Sequence, residues 1–155
     1  MTTFSKTFIH LTLPILFLIG CKTKNKSNTL INNNKSLEII DQKMDEQETC
    51  WNTGDLECFM QHYWKSDSLM FIGKSGLTYG WQPTLDNYIE SYPDKNTMGH
   101  LTFTNEVKKF IDLETIQVIG KWQLQRDSLE NLSGYYSLIW KTKNNEWVIV
   151  SDHSS

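Results

Sequence analysis

The stretch Gly134–Ser155, GYYSLIWKTKNNEWVIVSDHSS, constrains the fold more than any other, because two alternating apolar runs flank an Asn-Asn pair. Asn tolerates the positive φ that a two-residue hairpin turn requires, so Asn144 and Asn145 predict the turn and set the register. One face then carries Thr142–Trp147, Trp140–Ile149, Leu138–Ser151 and Tyr136–His153; the other carries Lys143–Glu146, Lys141–Val148, Ile139–Val150 and Ser137–Asp152. The first face is aromatic and aliphatic until Tyr136, Ser151 and His153 bring polar atoms to its end, as a lined pocket does.

Upstream the chain changes period. Leu37, Ile40, Met44 and Trp51 share one helical face until Gly54, and Asp55 is a natural N-cap for a second helix carrying Leu56, Phe59, Met60, Tyr63 and Trp64. SLMFIG (residues 68–73) and residues 77–81 read as short strands, and a helix from about Pro83 ends at Pro93. The segments 100–111 and 115–125 then alternate as long strands ahead of the hairpin. Helices early and antiparallel strands late make the chain α+β, a curved sheet whose concave face the helices cover.

The first twenty residues read as a signal segment: Lys6 precedes an apolar run that closes in Leu18-Ile19-Gly20-Cys21. That tetrapeptide resembles the bacterial lipobox, which implies lipidation at Cys21 and attachment in the cell envelope, at the outer membrane facing the periplasm. Residues 21–36 hold Lys and Asn, no acid and little apolar surface, which predicts a flexible tether ahead of one domain spanning residues 37–155. Of 15 basic residues Lys6 falls in the signal segment, whereas all 18 acidic ones lie beyond it, so nucleic acid is a disfavoured partner. Cys50 and Cys58 are open to either a disulfide or buried free thiols. The chain has no CxxC or HExxH spacing, and no metal or cofactor is expected.

The element order, Trp51-Asn52-x-Gly54-Asp55, Gly120-Lys121-Trp122 and the closing Trp147-Val-Ile-Val-Ser-Asp-His-Ser together resemble the nuclear transport factor 2-like superfamily. Within it they look most like the SnoaL-like, domain-of-unknown-function 4440 branch. The resemblance covers residues 37–155 and implies a cone, a strongly bent, mainly antiparallel sheet around helices with a cavity inside. It also implies a homodimer, here through the sheet face carrying Lys121, Gln123, Ile139, Val148 and Val150.

Fold alone does not choose between binder and enzyme. Tryptophans and tyrosines suit a flat ligand, and the expected pocket is His153, Tyr136, Ser151, Trp122, Trp81 and Tyr79. His153 is the candidate proton-transfer group, with Tyr136 or Tyr79 as its partner. SLMFIG holds no acid and Asp152 is expected to face away from His153, so the leading expectation is a binder of a small apolar or aromatic molecule. An isomerase or lyase using His153 is the alternative.

Overall fold

The computed structural model describes residues 24–155; the signal segment, Cys21 and the first tether residues lie outside them. Two helices, α1 (Lys24–Thr53) and α2 (Leu56–Phe59), precede a 3-10 turn (Met60–His62). The strands β1 (Met70–Gly73) and β2 (Gly76–Tyr79) follow, then α3 (Trp81–Ser91) and α4 (Lys95–Met98). The long strands β3 (His100–Asp112), β4 (Thr115–Gln125), β5 (Leu132–Lys143) and β6 (Glu146–Ser154) complete the chain. They form one six-stranded sheet in the order β2-β1-β6-β5-β4-β3, antiparallel except where β1 runs parallel to β6. The fold is α+β, as the pattern predicts.

Three local details differ from expectation. The backbone is helical from Lys24, so the first helix begins ahead of residue 37, where the sequence pattern starts it. The apolar stripe marks where α1 packs, from Leu37 and Ile40 onward, and a helix nucleated there propagates outward at little cost. Residues 95–98, between the helix end expected at Pro93 and the strand expected from residue 100, form α4 because Asp94 and Thr97 make a reciprocal capping box. Trp81, expected in a strand, opens α3.

The core lies between α1, α2, α3 and the inward face of the sheet, centred on Ile40, Met60, Ile116, Trp140 and Ile149. Trp51 meets Tyr92, Phe59 and Tyr88 edge-on, with ring centroids 4.8, 5.1 and 6.0 Å away. Its neighbour Asn52 accepts from the Leu101 N–H (2.7 Å) and donates to the Leu101 carbonyl (3.0 Å), and Glu48 accepts from the Phe103 N–H (2.8 Å). Side chains of α1 thus satisfy the free edge of β3, which otherwise offers an unpaired strand to other chains. Asp55 caps α2 as expected, its carboxylate accepting from the Cys58 N–H at 2.9 Å.

Cys50 and Cys58 are bridged, with Cα atoms 5.4 Å apart. The thiols therefore do not stay free. A closed loop of this size contributes about 2–3 kcal/mol by restricting the unfolded chain, and it ties α2 to the end of α1 beside the aromatic cluster. Lys121, Gln123, Ile139 and Val148 lie on the sheet face away from the helices.

Candidate functional site

The hairpin turn is where the sequence puts it, with Asn144 and Asn145 at φ 50° and 66°. Register follows the expected pairing from Lys143–Glu146 to Trp140–Ile149, and then a β-bulge between Ile139 and Trp140 shifts it by one. Ile139 pairs with Ser151, Leu138 with Asp152, Ser137 with His153 and Tyr136 with Ser154. The extra residue in β6 reverses the facing of everything beyond it. Asp152 therefore enters the core and is 2% exposed, while His153 is exposed.

The structure thus contradicts the expectation that His153 points into the cone beside Tyr136. His153 is exposed, paired with Ile72 of β1 and Ser137 of β5, and it lines the cavity only at its mouth. Ser151, half-buried between Ile139 and Met70, does not line the cavity. Tyr79 does not either: it sits on the edge strand β2, 58% exposed. Trp81 donates its indole N–H to the Met60 carbonyl at 2.9 Å, with Lys65 over its ring, and so fastens α3 to the 3-10 turn. Trp122 and Tyr136 do line the cavity.

The cavity has a volume of about 970 Å³, bounded by aromatic rings of α1, α2 and α3 on one side and by the inward faces of β3 to β6 on the other. Asp152 forms a polar floor. Tyr63 donates its hydroxyl to one carboxylate oxygen at 2.7 Å and Ser154 donates to the other at 2.7 Å. Burial raises the Asp152 pKa from its ordinary 3.8 to about 6, against the pull of those two hydrogen bonds. Burial first, and then the charge of Asp152, drives Tyr63 and the adjacent Tyr88 well above the usual phenol range, so both stay protonated donors.

A second polar group crosses the sheet. Tyr136 of β5 passes over Gly120 of β4 and donates to the Asn105 Oδ1 atom of β3 at 2.7 Å. A Cβ on Gly120 would come 2.5 Å from Tyr136 Cζ and collide with Tyr136 Oη and the Thr104 carbonyl. Glycine is the residue that leaves this path open. Burial, more than the nearby carboxylates, raises the Tyr136 pKa, so it too is a neutral hydrogen-bonding group.

Sequence reasoning missed Asp152, Tyr63, Tyr88 and Arg126, all of which line the cavity. Tyr63 was legible only as a core helix position. Arg126 continues the inward parity of Trp122 and Leu124, a signal present in the sequence but one residue past the expected strand end at 125.

No protein-family model and no curated protein matches the chain. Among solved structures, it is similar to a nuclear transport factor 2-like protein of unknown function from Shewanella oneidensis MR-1, with 37% identity and a TM-score of 0.73. That match covers 77% of this chain and 98% of the other. A hexachlorocyclohexane dehydrochlorinase, LinA-type3 from Novosphingobium barchaimii, shares the fold at 12% identity and TM-score 0.64, covering 81% of this chain and 88% of its own. A domain of unknown function with a cystatin-like fold from Nostoc punctiforme does so at 13% identity and TM-score 0.64, covering 75% and 74%. The first relative shares over a third of its residues along nearly all its length, and on that ground the chain belongs to the nuclear transport factor 2-like superfamily.

Proposed function

We propose that the cone binds a small, largely apolar or aromatic molecule bearing a hydrogen-bond donor that meets Asp152. The observation that carries this is a cavity of about 970 Å³ walled by aromatic rings, with one buried carboxylate in its floor. Such a site takes up apolar area while its few polar atoms fix orientation. 2-Naphthol tests it: the probe should perturb the fluorescence of Trp51 and Trp122 saturably, and Asp152→Ala should weaken binding about 10-fold. Lack of saturable binding to the wild-type protein would sink the reading.

A second reading is proton transfer of the isomerase or lyase type, with Asp152 as base in place of His153. It is favoured by one observation, a carboxylate whose pKa of about 6 lets it both take and return a proton near neutrality. A fold neighbour is a dehydrochlorinase, so the architecture houses enzymes elsewhere. Solvent deuterium exchange into 2-tetralone is the test, and exchange no faster than in buffer alone overturns it.

We further propose export and lipid anchoring through Cys21, supported by Leu18-Ile19-Gly20-Cys21 and by the disulfide, which suits an oxidising compartment. Cys21→Ser should move the protein out of the membrane fraction; unchanged fractionation and mass would refute anchoring.

A further inference from the structure

We infer that the ligand is an amphipathic acid whose carboxylate is held at the Arg126 end of the cavity, by the guanidinium and the indole N–H of Trp122. The inference rests on the binding-cavity reading and names the chemical class that the site selects.

Arg126 is the single arginine in a chain of 155 residues with net charge −3. It nevertheless makes no ion pair with any carboxylate among the described residues. It follows β4 with the parity of Trp122 and Leu124, and all three line the cavity. Its position is fixed on the far side: Nε donates to the Glu130 carbonyl at 2.7 Å, Nη2 donates to the same oxygen, and the Asn131 side chain accepts from its backbone N–H at 2.8 Å. Those bonds leave Nη1 and the second Nη2 hydrogen for another acceptor. The stem also has reserved space. Gly99, at φ 64°, carries no Cβ, and one placed there would lie 2.5 Å from Arg126 Cγ and 2.5 Å from the Gln125 carbonyl. Arg126 is near enough to Tyr92 for its charge to oppose the rise that burial imposes on that hydroxyl's pKa.

The Trp122 indole N–H is buried and has no hydrogen-bond partner. A buried donor without an acceptor is costly, and an acceptor brought by a ligand removes that cost. One guanidinium and one unsatisfied donor on the same cavity wall suit a carboxylate, which accepts several charge-assisted bonds at once. The ligand's body then lies against Tyr92, Phe103, Trp122, Leu124 and Leu132.

A matched pair of probes on the full folded chain tests this: 2-naphthoate and 2-naphthamide, alike in shape but not in charge. Wild type should bind naphthoate about 10-fold more tightly than the amide. Arg126→Gln should abolish the difference, weakening naphthoate about 10-fold while leaving naphthamide within about 2-fold. Arg126→Lys, which keeps the charge, should keep the preference, and Trp122→Phe should reduce it in part. Equal affinity for the two probes in wild type overturns the inference, as does equal weakening of both by Arg126→Gln, the result of mere loop loosening. If 2-naphthol binds and the preference is absent, the acid end fails and the cavity reading stands; if no probe binds, both fail.

Discussion

Asp152→Asn is expected to stabilise the protein by about 2–3 kcal/mol at pH 8 while removing any proton exchange the cavity catalyses. In the unfolded chain this carboxyl titrates near 3.8, and in the fold near 6, so between those values the native state holds the proton more tightly. Its contribution to stability is fully present below about pH 4 and is lost as pH rises through about 6. Asparagine is neutral at every pH, so the difference between variant and wild type should be small at pH 4 and reach its maximum above pH 7. Urea melts at the two pH values measure it. A variant less stable than wild type at pH 8 would mean that Tyr63 and Ser154 more than compensate for burying the charge. If the base reading holds, exchange into 2-tetralone should rise with pH through about 6 and vanish in Asp152→Asn. Gain of stability with loss of activity is the pattern of a group kept for chemistry at the expense of the fold.

Gly120→Ala should cost about 3 kcal/mol or more, a large effect for a single methyl group. One neighbour of the new Cβ, the Thr104 carbonyl, belongs to the backbone of the adjacent strand and cannot rotate away. The other, Tyr136, can yield only by leaving Asn105. Thermal unfolding reads the loss, and combining the change with Tyr136→Phe should recover little of it, because the clash with Thr104 persists. Full recovery in the double variant would place the strain in the tyrosine hydroxyl alone.

The hairpin shows how far the sequence is legible. Asn144-Asn145 specifies a local turn, and four residue pairs follow from it without error. The bulge then falls just ahead of the residues through which β6 also pairs with β1, a tertiary neighbour that the hairpin by itself does not announce. The run Val148-Ile149-Val150 has no break in apolar character to announce the extra residue. Everything inferred beyond Ile149 was therefore assigned to the wrong face, which cost His153 and Ser151 their expected places and hid Asp152. Trp81 and Tyr79 were misplaced for a different reason: an aromatic residue beside a glycine turn serves equally to cover an edge or to pin a helix. The strands β3 and β4 were legible nearly to the residue because their alternation is long and uninterrupted. The bridge between Cys50 and Cys58 depended on how two helices face each other, which no periodicity encodes.

The bulge also sets what kind of change would alter this protein's chemistry. Asp152 and His153 are adjacent in the chain and face opposite sides, and whether β6 carries the bulge decides which one is enclosed. Pairing the same residues without the bulge would exchange an enclosed carboxylate for an enclosed imidazole without replacing or deleting any amino acid. For a cone of this design, the register of the last strand is a variable of cavity chemistry, one that comparisons of residue identity at aligned positions overlook.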